Sequence, residues 1–196
     1  MYAQSTTHKT LLDRVAAGSD PGAWPEFCAR YEELIRRFAL RRGVMGPDGD
    51  DVVQDVLLAL TKAMPGFEYD PAKGKFRSYL KTVVIRTILK KSREKFGEVA
   101  LETLEEATRA ASDDAELDEL WEQEWRQQHL RRAMRMVESE FNANDVACFK
   151  AYVVNGEDAS AVGESLGYSA AQVYQCKYRM MERLRAVIAA QVEDEG

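Results

Sequence analysis

The segment FRSYLKTVVIRTILKK, residues 76–91, places apolar side chains at every fourth position. These positions are Phe76, Leu80, Val84 and Ile88. Because residues four apart are neighbours on a helical surface, the spacing predicts a buried stripe, with Tyr79 and Val83 beside it. The opposite face forms a basic stripe of Ser78, Thr82, Arg86 and Lys90. The segment therefore predicts an amphipathic helix with a cationic outer surface.

Helical spacing extends over the rest of the chain, and no run alternates as a half-buried strand does. Apolar periodicity, together with the prolines and glycines, predicts helices at residues 11–17, 25–43, 50–64, 76–95, 121–141, 144–154, 158–166 and 170–190. The sequence thus predicts an all-α fold of two small helical domains, residues 1–96 and 121–196, joined by an acidic linker at 97–120.

The net charge of the chain hides an uneven distribution. With 27 Lys+Arg against 33 Asp+Glu, the formal net charge is −6, which by itself argues against a nucleic-acid partner. Residues 24–96, however, hold 15 basic and 10 acidic side chains, whereas residues 97–126 hold 2 and 11. This asymmetry says more about partners than the sum does.

The cysteines and the apolar runs bear on the compartment. No apolar stretch approaches the roughly 20 residues that cross a bilayer, and residues 1–18 lack the apolar core of a signal peptide. Cys28, Cys148 and Cys176 lie far apart, without a CxxC pair. We therefore expect a reduced, cytoplasmic protein without disulfides or membrane insertion, with its cysteines in or near the core.

Residues that usually carry catalysis or hold a metal are sparse. The two histidines, His8 and His129, have no ligand-like spacing, and we expect each at a terminal or helix-surface position. The sequence contains no Gly-rich phosphate loop, HExxH motif or nucleophile elbow. It therefore predicts no enzymatic activity, no catalytic residue, no metal site and no cofactor.

Residues 158–187 have the proportions of a helix-turn-helix. Asp158 suits an N-cap, and Gly167 suits the left-handed position that ends a helix. Ser169 and Gln172 then form an SxxQ capping box. The apolar faces consist of Ala161, Val162 and Leu166 in the first helix and Val173, Cys176, Met180, Leu184 and Val187 in the second.

In a helix-turn-helix the second helix enters the major groove with its N-terminal side chains. The outward candidates here are Gln172, Tyr174, Gln175, Lys177, Tyr178 and Arg179. Glutamine can pair with adenine and arginine with guanine, while lysine or tyrosine can reach phosphates. A helical hairpin inside a bundle accounts for the same pattern without DNA.

The loop before the basic helix adds aromatic side chains to the positive charge. Residues 66–96 hold 9 basic and 3 acidic side chains, and Phe67 and Tyr69 lie in the loop. A one-sided cationic helix fits a phosphate backbone, and cationic grooves with aromatic faces hold single-stranded bases. The alternative is a solvated basic face with Phe67 and Tyr69 packed in the core.

The segment GDDVVQDVLLAL, residues 49–60, predicts a helix with an acidic face. The side chains that can face inward are Val52, Val53, Val56, Leu57 and Leu60. The acidic face itself comprises Asp51, Gln54, Asp55 and an outward Leu58. A leucine in such a ring suggests a protein-binding surface, although a single exposed leucine is also common without a partner.

In this order, the segments resemble the extracytoplasmic-function (ECF) branch of bacterial RNA polymerase sigma factors. AWPEF (residues 23–27), GDDVVQDVLLAL, FEYDPAKGKFRSYL (67–80) and KTVVIRTILKK (81–91) are similar to sigma region 2. Residues 129–187, with SAAQVYQCKYRMMERLRAVI (169–188), are similar to region 4. The resemblance implies a non-catalytic subunit that supplies promoter choice and promoter melting to the polymerase.

The resemblance also implies a role for each surface. Docking on the clamp helices of the polymerase core is implied for Asp50, Asp51, Gln54, Asp55 and Leu58. Binding of the −10 element is implied for Phe67, Tyr69, Lys75, Arg77, Ser78, Tyr79, Lys81, Thr82, Arg86, Lys90 and Lys91. Reading of the −35 element is implied for Ser169, Gln172, Tyr174, Gln175, Lys177, Tyr178, Arg179 and Arg183. The implied partners are the RNA polymerase core, promoter DNA and an anti-sigma factor or other regulator.

Two other functions fit part of the pattern. A stand-alone helix-turn-helix regulator would bind duplex DNA without polymerase, but it has no use for a single-strand site. A helical protein-interaction adaptor fits the acidic face, but it leaves the capping box and the basic stripe unexplained.

Overall fold

The computed structural model describes residues 8–65, 67, 76–96 and 115–194. Within these ranges all regular secondary structure is helical, which confirms the predicted all-α fold. The helices are α1 (His8–Ala17), α2 (Ala23–Arg41), α3 (Pro47–Ala63), α4 (Phe76–Phe96), α5 (Ala115–Glu140), α6 (Ala143–Phe149), α7 (Ala159–Leu166) and α8 (Ala170–Asp194). A π-helical segment, Lys150–Val154, continues from α6. Over the same ranges, none of the helices has the length and apolarity that a membrane crossing requires.

Helix α3 begins at Pro47, before the predicted start at residue 50. Gly46 precedes it with φ +60°, a conformation that glycine reaches without strain. Pro47 then fits the first turn, where a backbone N–H has no helical partner to lose. These two residues start the helix early and place Asp48 and Asp50 near its positive N-terminal end.

The chain divides into two compact units, Met1–Gln128 with Asp194–Gly196 and His129–Glu193. The division falls inside α5, so the start of this helix belongs to the first unit. Residues 115–120, expected in the linker, are helical. The reason is an apolar stripe of Leu117, Trp121 and Trp125, whose burial in the core of the first unit stabilises the helix beyond its local propensity.

The core of the first unit contains an aromatic cluster from α2, α4 and α5. The ring of Phe27 lies 4.7 Å from that of Tyr31 and 5.9 Å from that of Phe76, between centroids. Trp121 meets Phe38 edge to face at 5.0 Å. Because tilted and edge-to-face pairs are favoured arrangements of aromatic rings, the cluster fixes α4 and the start of α5 against α2.

The second unit contains the predicted helix-turn-helix, formed by α7 and α8. The Asp158 carboxylate caps α7 by accepting from two backbone N–H groups of its first turn, and Gly167 ends the helix at φ +71°. The predicted capping box of α8 is also present. The Ser169 N–H donates to Gln172 Oε1 at 2.7 Å, and the Gln172 N–H donates to Ser169 Oγ at 3.3 Å.

Gly163 allows the turn to pack directly on α7. The backbone N–H of Tyr168 donates to the Gly163 carbonyl oxygen at 2.8 Å. A Cβ atom at position 163 would lie 2.4 Å from the carbonyl oxygen of Tyr168, well inside van der Waals contact. The short junction between the two helices therefore depends on a glycine at this position.

The buried stripe of α8 is confirmed, whereas one residue of the α7 face was predicted wrongly. All five predicted α8 residues are buried, namely Val173, Cys176, Met180, Leu184 and Val187. In α7, Ala161 is exposed, and Ala159 is buried together with Val162. Positions three and four residues after Ala159 share its face, whereas Ala161, two residues after it, points away.

Candidate functional site

Helix α3 shows both of its predicted faces. The inner side chains Val52, Val53, Val56 and Leu60 are buried, and Leu57 is half-buried. On the acidic face Asp51, Gln54 and Leu58 are exposed and Asp55 is half-buried. Leu58 keeps 53% of its surface exposed, although leucine gains from burial. The acidic face therefore presents one large exposed apolar side chain, Leu58, surrounded by polar side chains.

Two carboxylates at this end of α3 are paired within the unit. Lys91 Nζ donates to Asp51 Oδ2 at 2.8 Å, and this hydrogen bond raises the pKa of Lys91. Arg36 forms an ion pair with Asp50. Exposed pairs of this kind are weak, so a partner that brings its own cations can displace them.

Helix α4 also has the predicted faces. The stripe of Phe76, Leu80, Val84 and Ile88 is buried, and Tyr79 and Val83 pack beside it. In the basic stripe Ser78, Arg86 and Lys90 are exposed and Thr82 is half-buried. Lys90 lies 3.7 Å from Glu94 on the next turn, and in the described part of the chain no carboxylate pairs with Arg86. Arg86 is thus available to an external anion.

The start of α5 supplies carboxylates to two other cations of α4. Arg77 Nη1 lies 3.2 Å from Glu122 Oε2, and Lys81 forms an ion pair with Asp118. All four residues belong to the first unit. Two residues predicted to bind the −10 element are therefore neutralised by the protein's own side chains, which the sequence pattern of α4 could not show.

The aromatic loop before α4 is described only at Phe67. Its ring is half-buried and lies 5.7 Å from Tyr79 and 6.3 Å from Phe76, between centroids. This position matches the core-packing alternative that the sequence left open for Phe67. The other two predicted residues of this loop, Tyr69 and Lys75, lie outside the described residues.

Helix α8 exposes the predicted recognition residues. Those that are exposed are Ser169, Gln172, Tyr174, Gln175, Lys177, Tyr178, Arg179 and Arg183. Several of them also make contacts inside the unit. Tyr174 meets Tyr152 edge to face at 5.7 Å, and Lys177 Nζ lies 5.4 Å from the centre of the same ring. The two arginines pair with carboxylates of the preceding helices.

Asp145 links α6 to the turn and to α8. Its carboxylate accepts from Asn142 Nδ2, the Tyr168 hydroxyl and Arg179 Nη2 at 3.0–3.1 Å, and Asp145 is only 5% exposed. Its backbone carbonyl oxygen accepts from Cys176 Sγ at 3.2 Å. These donors satisfy the buried carboxylate and connect α6 and the turn to α8, which holds α8 in place. Sequence reasoning missed Asp145, although its position three residues after Asn142 is a capping signal.

The cysteines occupy core or near-core positions, as expected. Cys148 and Cys176 are buried, and Cys28 is half-buried. Burial, with a further contribution from nearby Cys148, raises the pKa of Cys176 to about 12. Because the thiolate is the reactive form of cysteine, the raised pKa keeps Cys176 in the unreactive thiol form. The buried side chain therefore serves packing.

His129 was predicted at a helix surface, and this prediction is wrong. The residue is only 7% exposed, and its Nδ1 lies 3.0 Å from Gln191 Oε1. The cause is the length of α8, whose inner face continues past Val187 to a buried Gln191 that can hydrogen-bond to the imidazole. The side chain of His8 lies outside the described residues.

Comparison with known proteins gives a match to a family model and matches to solved structures. A comparison with curated proteins found no match. A solved structure described as "Structure of CnrH in complex with the cytosolic domain of CnrY" matches at 18% identity and a TM-score of 0.38, over 94% of this chain and 98% of that chain. Among protein families, the model described as Sigma-70 region 2 matches residues 27–95. The segment that carries the acidic face and the basic stripe is therefore similar to region 2 of sigma-70 factors.

Proposed function

We propose that the protein is a sigma factor of the ECF branch, which binds the RNA polymerase core and directs it to promoters. One observation carries the proposal. The segment that matches Sigma-70 region 2 presents two separate exposed surfaces, an acidic face on α3 and a basic stripe on α4. Two surfaces of opposite charge suit two different partners, one protein and one nucleic acid.

The acidic face is proposed to dock on the clamp helices of the polymerase core. Leu58 would serve as the apolar anchor, since exposed large side chains surrounded by polar ones often centre a protein interface. Asp51, Gln54 and Asp55 would orient the contact through charge and hydrogen bonds. Asp50 would join them once its pair with Arg36 opens.

The basic stripe is proposed to hold the melted non-template strand of the −10 element. Arg86 and Lys90 are exposed on one side of a helix whose other side is anchored in the core. Such a rigid cationic face suits a phosphate backbone. Ser78 and Thr82 would add hydroxyl contacts along the same line, with Tyr79 and Phe67 beside them.

The second unit is proposed to read the −35 element with α8. The tight turn between α7 and α8 leaves the first turns of α8 exposed, which is the part that enters the major groove in helix-turn-helix proteins. The polymerase would carry out RNA synthesis, and this chain would supply promoter choice. An anti-sigma factor or other regulator would act by covering the acidic face or the basic stripe.

Run-off transcription tests the proposal. Purified full-length chain is added to core polymerase and genomic promoter fragments, and we expect discrete run-off products that core polymerase alone does not give. Lack of both promoter-specific initiation and core binding would contradict the proposal. Sequence-specific duplex binding that is the same with and without core would instead favour the stand-alone regulator.

A further inference from the structure

Two arginines of α8 are held by carboxylates of their own unit. Arg179 Nη2 lies 3.0 Å from Asp145 Oδ2, and the Asp145 side chain is 8% exposed. Arg183 donates through Nε and Nη2 to Glu140 at 2.5 and 2.7 Å. Arginine reads guanine with two parallel donors of its guanidinium group. Moving Arg179 to a base would leave a buried carboxylate without its cation, which is strongly unfavourable.

The side chain of Gln172 also forms a hydrogen bond within its own unit. Its Oε1 accepts from the Ser169 N–H at 2.7 Å as half of the capping box. A glutamine that reads adenine needs both its amide oxygen and its amide nitrogen. As long as α8 is capped, the Gln172 side chain is held at the N-terminus of the helix, and its amide oxygen would have to be shared between the cap and a base.

The face of α8 opposite its buried stripe carries side chains that form no hydrogen bond or ion pair within the described part of the chain. Ala171, Gln175 and Tyr178 are exposed on this face, and Tyr178 has 65% of its surface free. Glu182 continues the same face one turn further on and places a carboxylate there, which phosphates repel. This face of the first turns of α8 therefore offers an amide from Gln175, a methyl group from Ala171 and an aromatic ring with a terminal hydroxyl from Tyr178.

We infer that α8 reads A·T base pairs, with Gln175 on adenine and Ala171 and Tyr178 against thymine methyl groups. Adenine presents the paired donor and acceptor that one glutamine amide satisfies, and thymine alone presents a methyl group in the major groove. Lys177, over the Tyr152 ring at the side of this face, contacts phosphate and carries no sequence preference. The inference rests on the proposed function, because it assumes that α8 enters the major groove at the −35 element.

Selection from a randomised promoter library tests the inference. Holoenzyme formed from the full chain and core polymerase is bound to promoters with a random −35 segment, and the bound sequences are read. We expect enrichment of A·T pairs at adjacent positions. Gln175→Ala should reduce the preference at one base pair by about 5- to 150-fold, whereas Lys177→Ala should weaken binding to all sequences alike.

Three outcomes would overturn the inference, and they separate it from the proposed function. Enrichment of guanine that is lost in Arg179→Lys would assign base reading to Arg179 and leave −35 recognition intact. The lysine keeps a positive charge beside Asp145, so folding is protected in this variant. An unchanged base preference in Gln175→Ala would also contradict the inference, because Gln175 would then not read adenine. Absence of any enriched sequence, with core bound, would overturn −35 reading by α8 itself.

Discussion

At the scale of single residues, Gly163 is the glycine in the described part of the chain with the least room for a side chain. Gly163→Ala brings a Cβ to 2.4 Å from the carbonyl oxygen of Tyr168. We expect a loss of about 1–3 kcal/mol in the free energy of unfolding, only partly offset by the better helix propensity of alanine. Urea unfolding followed by circular dichroism measures this loss.

Gly49→Ala is the matched control. Gly49 is also helical and buried, but its added Cβ would meet nothing closer than the carbonyl oxygen of Val44 at 3.6 Å, an ordinary contact. Its stability should stay the same or rise. Equal stability of the Gly163 and Gly49 variants would contradict the steric argument.

The pair of Glu140 and Arg183 should show a pH dependence. The two hydrogen bonds from Arg183 lower the pKa of Glu140 below its ordinary value of about 4.3. A group with a lowered folded-state pKa stabilises the protein above its unfolded pKa and loses that effect as the pH falls through the folded value. The stability difference between wild type and Glu140→Gln should therefore be largest near pH 7 and vanish in acid.

Unfolding titrations at pH 7 and near pH 3 measure the free energy of unfolding of wild type and of Glu140→Gln, at one pH above and one below the ordinary glutamate pKa of about 4.3. Glu182→Gln, an exposed glutamate of α8, serves as the control and should show little difference at either pH. A difference for Glu140→Gln that persists unchanged in acid would mean that the carboxylate charge is not its source.

The sequence predicted side-chain roles that depend on near neighbours. The capping box of Ser169 and Gln172 was readable because both partners lie within one turn. Asp145 was missed because its partners Tyr168 and Arg179 are 23 and 34 residues away. Contacts at such separations depend on how helices pack, which periodicity within one helix does not contain.

At the scale of elements, α3 offers the sharpest test of core binding. Leu58→Ala removes the proposed anchor of the acidic face without opening a cavity, because the side chain is already 53% exposed. We expect affinity for core polymerase to fall about tenfold or more, as for other interface anchors, with little change in folding stability. Fluorescence anisotropy of the labelled chain titrated with core measures the affinity.

Leu40→Ala is the matched control for that variant. Leu40 is 52% exposed in the same unit and lies on α2 rather than on α3. Its core affinity should stay at the wild-type level. Equal losses of core affinity in the two variants would contradict a specific role of α3 in docking.

On the proposed function, substitutions in the basic stripe of α4 should affect promoter opening and leave core binding unchanged. Combined Arg86→Ala and Lys90→Ala removes two exposed cations of the basic stripe while leaving the buried stripe intact. We expect slower opening of promoter DNA, followed by permanganate reactivity of unpaired thymines, and unchanged affinity for core. Arg42→Ala, an exposed cation elsewhere in the first unit, is the control. Equal loss of core binding in the double variant would contradict the assigned faces.

Element starts were less predictable than element faces. The buried stripes of α4 and α8 follow from spacing alone, and both are confirmed. The start of α5 could not be predicted from spacing, since residues 115–120 are rich in charge. These residues are helical because Leu117 is buried in the core of the first unit. Tertiary burial, rather than local propensity, decided that boundary.

At the scale of the whole molecule, the start of α5 provides carboxylates that would compete with DNA for the cations of α4 if α4 binds the −10 element as proposed. Glu122 lies 3.2 Å from Arg77, one of the cations assigned to the −10 element. Glu122→Gln should free Arg77 and tighten binding of −10 single strand to holoenzyme by up to about fivefold, the range of an exposed ion pair. Glu119→Gln, on the same helix but hydrogen-bonded to Gln123, makes the same charge change and should have less effect. Equal tightening in both variants would point to general charge rather than to this pair.

The same carboxylates should affect how the proposed −10 complex responds to ionic strength. Single-strand affinity falls with salt at a logarithmic slope of about −0.7 for each phosphate that a Lys or Arg neutralises, because the neutralised phosphate releases its condensed cation. Arg77 and Lys81 already pair with Glu122 and Asp118, so each would neutralise a phosphate less completely and fewer condensed cations would leave the DNA strand. The proposed −10 complex should therefore lose affinity less steeply with rising salt than the number of cations on α4 suggests, and promoter opening should tolerate changes in cellular ionic strength.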